Sequence, residues 1–150
     1  MSRKNASSIP RLMLLFALTG VAVASYDSYA IATGQPLWCP PPIDGCNIVA
    51  NSPYARFFGV PLGYLGVVYY VMMFTLGALL AFRPFSRALR RGVLVYAAMG
   101  VASSICFLFI EITFIHAFCV YCLVSAVLTI LLLVAAFVHF TMMWRRKGIG

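Results

Sequence analysis

Charge is what this chain has least of. Asp, Glu, Lys and Arg together make up 9% of 150 residues, against 63% hydrophobic ones. The polar surface that a soluble domain of this length requires is therefore missing, and the chain belongs in a bilayer. Other absences narrow the class further. There are no internal repeats, and no low-complexity tract apart from Pro40-Pro41-Pro42. Only residues 33 to 59 form a long polar connection, so there is no room for a second domain. No haem or flavin signature is present. A second C-x-x-C is also lacking, which argues against a four-thiolate zinc site on the cysteines.

What is there is apolar sequence in runs long enough to cross about 30 Å of hydrocarbon. Four spans are expected, near Pro10–Ala32, Val60–Phe82, Val93–Ile115 and Phe118–Trp144, giving an all-α integral membrane protein. It folds as one four-transmembrane-helix bundle over residues 1–150, with an outer loop carrying a cysteine pair. The formal charge of +8 would suit nucleic acid only with a folded soluble face to carry it, and none remains. Its distribution has another meaning. Arg3, Lys4 and Arg11 precede or begin the first span, Arg83, Arg87, Arg90 and Arg91 fill the second connection, and Arg145, Arg146 and Lys147 follow the fourth. Only Arg56 falls on the other side. This is the positive-inside pattern, and it places both termini in the cytoplasm. The expected location is the inner (cell) membrane, with the long connection and the short one near His116–Phe118 facing the periplasm or its equivalent. A cleaved signal peptide is the competing reading of the N terminus. The apolar run continues past the usual 7 to 15 residues of a signal core, which favours a span, and the cysteines keep their compartment under either reading.

Four of the five cysteines lie on that outer side, where disulfides form and persist. Cys39 and Cys46 flank a Pro/Gly/polar segment in which prolines fix φ and Asp44-Gly45 favours reversal. Such a reversal brings the pair to the Cα spacing of about 5.5 to 6 Å that a disulfide needs. Cys119-Val120-Tyr121-Cys122 opens the fourth span. There Cys119 meets the unpaired N–H groups and positive end of the helix, which stabilise a thiolate, and Cys122 lies one turn inward on the same face. A dithiol beside water and another at the head of a membrane helix can pass electrons from an aqueous thiol to an acceptor in lipid. The alternative, from a different class, is a non-enzymatic membrane protein whose structural disulfides brace its outer loop. Cys106, midway along the third span, is expected to be a small buried hydrophobe.

Other residues carry weaker signals. Asn51-Ser52-Pro53 is a helix-start pattern, and Tyr54, Phe57 and Phe58 suit a water–lipid boundary. Gly59, Gly63 and Gly66 are expected to permit close helix contact along the second span. Glu111, an acid inside a span, is a functional hypothesis by default, either relaying protons or positioning the helix end near Cys119. His116 is placed at the surface, His139 toward the opposite end of the fourth span, and Tyr121 is read as a packing residue.

Taken together, these residues resemble the bacterial vitamin K epoxide reductase family. The resemblance rests on a loop pair first and a C-x-x-C last, with Asn51-Ser52 after the second loop cysteine. It rests also on Gly59-Val60-Pro61-Leu62-Gly63 at the second span and on Glu111 before Cys119-Val120-Tyr121-Cys122-Leu123-Val124-Ser125-Ala126. It covers about Arg11 to Trp144 and corresponds to the stand-alone form, without a fused thioredoxin-like domain. The disulfide bond formation protein B has its pairs in the reverse order and matches less well. The resemblance implies a four-helix bundle enclosing a quinone (ubiquinone or menaquinone) near the outer surface. Cys39 and Cys46 would be the shuttle pair, Cys119 the residue that one of them attacks, and Cys122 the sulfur nearest the quinone. Ser52 would hydrogen-bond a quinone oxygen. The electron donor would be a separate, exported thioredoxin-like (DsbA-like) oxidase. Leu62 and Ala126 stand where the animal enzymes have an asparagine and a tyrosine that help hold vitamin K, so quinone reduction rather than epoxide reduction is the activity implied.

Overall fold

The structure, a computed structural model, describes residues 3–41 and 45–147, with side chains described from Ser8 to Arg145 within those limits. Helix α1 (Arg3–Thr33) leads into the outer connection, which holds a short helix, α2 (Gly45–Ala50), and a single 3-10 turn at Pro53–Ala55. Strands β1 (Arg56–Phe57) and β2 (Val60–Pro61) follow as a small antiparallel hairpin, with Arg56 opposite Pro61 and Phe57 opposite Val60. Then come α3 (Leu62–Phe82) and α4 (Arg87–Ile110), the latter continuing as a wider π-helical turn over Glu111–Ile115, and finally α5 (Val120–Lys147).

Four segments are long and apolar enough to cross a membrane: Ser8–Thr33, Leu62–Phe82, Arg87–Ile115 and Val120–Arg145, with mean hydropathy between 1.6 and 2.7. The protein is a multi-pass membrane protein, and the expected four-helix bundle is what is found. An even number of crossings leaves both chain ends at one pole and the cysteine-bearing connections at the other, called here the basic pole and the thiol pole. Leu15, Leu18, Val68, Val95, Ile105 and Phe109 all point away from the bundle. In lipid such a surface needs no cover, because the solvent is as apolar as the side chains.

The third span begins at Arg87, six residues before the expected Val93. Ser86 caps α4 by accepting the Leu89 backbone N–H at 3.4 Å, and arginine is a good helix former. Arg87, Arg90 and Arg91 are therefore in the first turns of α4 and not in the connection. The expected reversal at Pro42, Ile43 and Asp44 lies outside the described residues, as do the side chains of Arg3, Lys4, Arg146 and Lys147.

Packing inside the bundle is set by small residues. Gly66 lies against Ala24, with 3.3 Å from an added Cβ to the alanine methyl, and a Cβ at Gly63 would overlap Ser28 Oγ. This is the close α1–α3 approach expected of small residues in a span. Gly59 has a different role from the expected one. It sits at the hairpin tip with φ +83°, after Phe58 at φ +49°, with nothing near its Cβ position. Two consecutive positive φ values are what a two-residue hairpin turn demands, and glycine supplies the second without strain. The main core gathers Met13, Ala17, Tyr70, Met73, Val93, Ala97 and Leu132. Two polar contacts cross between its helices: Tyr70 Oη meets Ser125 Oγ at 2.7 Å, and Ser104 Oγ meets Thr129 Oγ1 at 3.2 Å.

Candidate functional site

At the thiol pole the two cysteine pairs come together. Cys39 and Cys46 form a disulfide with a Cα–Cα separation of 6.1 Å, while Cys119 and Cys122 are free thiols. Cys46 is 0% exposed and Cys119 2% exposed, and they share one apolar cluster with Ala30 and Leu37. Gly45 is the reason this contact is possible: a Cβ there would overlap the backbone of Phe118. The first turn of α2 therefore lies directly on the chain leading into Cys119. Cys39 packs on the same cluster but is only half-buried. The loop pair thus has an inner sulfur facing the C-x-x-C and an outer one nearer solvent.

Two side chains fix this loop. Asn47 clamps both backbone groups of Leu37, accepting its N–H at 2.8 Å and donating to its carbonyl at 3.1 Å. Tyr121, between the two cysteines, donates from its hydroxyl to the Trp38 carbonyl at 2.6 Å and packs its ring 5.5 Å from that of Tyr26. The residue read as packing therefore also ties the Cys39 arm to α5. Replacing Asn47 by Ala strands two backbone groups in a partly buried place, at about 1 to 3 kcal/mol. The expected result is faster reduction of the Cys39–Cys46 disulfide by a small dithiol than in wild type, followed by thiol labelling.

Glu111 is 2% exposed, at the point where α4 widens into its π turn. The wider turn is closed by His116, an exposed residue at φ +54° whose N–H bonds to the Glu111 carbonyl. The Glu111 carboxylate accepts the Cys119 backbone N–H at 3.3 Å, so the end of one helix caps the start of the next. The Cys122 thiol stands between the Cys119 sulfur and the Glu111 carboxylate, within hydrogen-bond reach of both. Its bond to the Cys119 sulfur holds the Cys119 thiol below its ordinary value. Burial and the charges of Asp27 and Glu111 oppose that effect, and the Cys122 backbone N–H assists it. A lowered thiol is more often a thiolate, the form that attacks disulfides.

Behind Cys122 a cavity of about 430 Å³ runs between the helices, bordered by Asp27, Tyr69, Tyr96, Phe107, Cys122 and Ser125 among others. Its walls are mostly apolar. Tyr69 and Tyr96 stack with centroids 5.0 Å apart and planes 19° apart. The Tyr69 hydroxyl is buried over Gly100 with no hydrogen-bond partner among the described residues. A flat, apolar, carbonyl-bearing molecule fits this lining: aromatic faces for its ring, an unused hydroxyl for an oxygen, and a thiol at the wall.

Ser52 does not line this cavity. Its hydroxyl donates to the Val49 carbonyl at 2.7 Å, ahead of the Pro53 turn. Cys106 is exposed on the lipid-facing side of α4, contrary to the burial expected of it, because a four-helix bundle has room inside for only one face of each helix. His139 is buried at the basic pole, far along α5 from the thiols. The cavity residues that escaped the sequence reading include Asp27, Tyr69 and Tyr96. Asp27 carried the same signal as Glu111, an acid inside an apolar span. Tyr69 carried none, since tyrosine in a membrane helix is unexceptional.

The sequence profile of the vitamin K epoxide reductase family matches residues 11–137. The chain belongs to that family. Thiol-disulfide oxidoreductase LTO1 from Arabidopsis thaliana is 33% identical over 111 residues, which cover 70% of this chain and 30% of that relative. The chain thus spans about 30% of the length of the curated relative it matches. Within the family match fall both cysteine pairs, Glu111 and the cavity residues.

Proposed function

We propose that the protein is a membrane thiol:quinone oxidoreductase that reoxidises an exported thioredoxin-like oxidase and so drives disulfide formation outside the cytoplasm. The observation that carries this reading is the burial of the inner loop cysteine, Cys46, in one cluster with Cys119, with Cys122 at the wall of a quinone-sized cavity. The name of the related thiol-disulfide oxidoreductase supports the same class. The ten cations at the basic pole support cytoplasmic termini and thiols on the periplasmic side of the inner membrane, by the positive-inside rule.

Each step is an exchange in which one S–S bond breaks as another forms. A thiolate of the partner attacks Cys39, the more accessible sulfur, and releases Cys46 as thiolate. The second partner thiol resolves the mixed disulfide and leaves the loop pair reduced. Cys46 attacks Cys119 when Cys119 is bonded to Cys122, freeing the Cys122 thiolate, and Cys39 then closes the loop disulfide again, leaving Cys119 and Cys122 reduced. A bound quinone supplies a two-electron, two-proton acceptor soluble in lipid. Tyr69 and Tyr96 would hold its ring, with the Tyr69 hydroxyl on an oxygen. Cys119 and Cys122 return to a disulfide as their two electrons and two protons leave, and Glu111 is placed to hold the Cys122 proton on the way.

The test is quinone reduction by purified protein supplied with a reduced thioredoxin-like oxidase. Turnover is expected in wild type and, undiminished, in Cys106→Ser, since Cys106 faces lipid. Folded wild-type protein that leaves both ubiquinone and menaquinone analogues oxidised would overturn the reading and favour disulfides that merely brace the loop.

A further inference from the structure

The basic pole holds a buried charge that no described residue pairs with. Arg90, in the second turn of α4, is 5% exposed, and its Nε and Nη1 have no hydrogen-bond partner among the described residues. The neighbouring buried side chain on α5, His139, is 1% exposed, and both of its ring nitrogens are likewise unpartnered. Buried guanidinium groups are ordinarily matched by an anion, because desolvation of an unpaired charge is costly. The chain has only three acidic side chains. Asp27 and Glu111 sit at the thiol pole, and Asp44 falls in the outer connection. Among the described residues no side-chain carboxylate stands at the basic pole to pair with Arg90.

A groove for it lies alongside. Arg91, Phe140, Thr141, Trp144 and Arg145 line a hollow of about 510 Å³ between α4 and α5 at this pole. Phe140 joins the two features, since the Arg90 guanidinium lies 5.8 Å from the centre of its ring. The ring of Trp144 follows 6.0 Å further along, and Trp144 is exposed at the depth where interfacial aromatics gather. Cations at the rim, a hydroxyl from Thr141 and aromatic walls descending toward the hydrocarbon match a molecule with a phosphate at one end and acyl chains at the other. Basic pockets between membrane helices bind phospholipid headgroups in this way. Free phosphate would use the cations but leave the aromatic walls without a function.

We propose that the groove between α4 and α5 is a binding site for an anionic phospholipid. Arg91 and Arg145 contact its phosphate, Arg90 is the buried charge it neutralises, and Phe140 and Trp144 line its acyl chains.

Trp144 is a built-in reporter. The protein has two tryptophans, and Trp38→Phe leaves Trp144 alone. This variant is reconstituted in phosphatidylcholine vesicles containing either brominated phosphatidylglycerol or brominated phosphatidylcholine. Half-quenching of Trp144 is expected at about tenfold lower mole fraction of the brominated anionic lipid. The preference is expected to vanish in Arg91→Gln/Arg145→Gln, whose two exposed positions leave the core untouched, and to weaken in Arg90→Gln. Equal quenching by the two lipids, or a preference that survives the double substitution, would overturn the proposal. So would loss of the preference on adding inorganic phosphate but not an equal ionic strength of chloride, since that assigns the groove to a free anion.

Discussion

Serine at position 122 is expected to stop quinone reduction altogether, a loss of about 10³-fold or more of the kind seen when a nucleophile is removed, and to leave a diagnostic product behind. Without Cys122 the C-x-x-C cannot close. Cys119 keeps its place beside Cys46, at the foot of α2. Its thiolate attacks the loop disulfide at Cys46, a Cys46–Cys119 bond forms, and Cys39 is released as a free thiol. Without Cys122 only Cys39 can reverse the step, by attacking Cys46, so the mixed disulfide stands in exchange with the loop disulfide and acid quench fixes the share present. Peptide mapping after acid quench reads it directly. Cys46 is the predicted partner because it is 0% exposed and in the same cluster as Cys119, while Cys39 stands nearer solvent. A trapped Cys39–Cys119 bond would reverse the order of the relay. Mixed disulfides with the exported partner should form instead at Cys39: in Cys46→Ser the Cys39 thiolate attacks the disulfide of the oxidised partner, one partner sulfur bonds to Cys39 and the other leaves as a thiol.

The order of the pairs along the chain was enough to bring both cysteine pairs to one pole of the bundle, because hydrophobic run length, arginine distribution and cysteine spacing are all local properties of the sequence. What spacing could not supply was which loop cysteine lies against the C-x-x-C. That depends on Gly45 letting α2 settle on the backbone of Phe118 and on Asn47 pinning Leu37, contacts between residues far apart in sequence. The cavity escaped for a similar reason. Tyr69 matters because its hydroxyl ends over Gly100 on another helix with no partner among the described residues, and nothing in its immediate sequence marks it. Ser52, assigned by resemblance alone, turns its hydroxyl to the backbone of its own loop. Arg83 lies in the second connection as expected, but Arg87, Arg90 and Arg91 belong to a helix, since a single cap at Ser86 moved the helix start ahead of the apolar run.

Glu111 distinguishes chemistry from support. Its carboxylate does two things at once: it accepts the Cys119 backbone N–H at 3.3 Å, and it lies within hydrogen-bond reach of the Cys122 thiol. The first is a capping function that an amide oxygen can also perform. The second includes a function that an amide cannot perform, because Cys122 must give up its proton before its sulfur can act, and glutamine cannot take it. Glu111→Gln is therefore expected to fold normally, with the same loop geometry, yet to reduce quinone about 10² to 10⁴ times more slowly, the usual contribution of a positioned acid–base group. Exchange between the partner and the Cys39–Cys46 disulfide should proceed at the wild-type rate, since Cys39 and Cys46 do not depend on this carboxyl. Rapid-quench measurement of the two half-reactions separates them. Glu111→Asp, which keeps a carboxyl but shortens its reach, should recover part of the loss. Full turnover in Glu111→Gln, with loss only in Glu111→Ala, would reduce Glu111 to a cap for α5 and leave the Cys122 proton to Asp27, the carboxyl that borders the cavity.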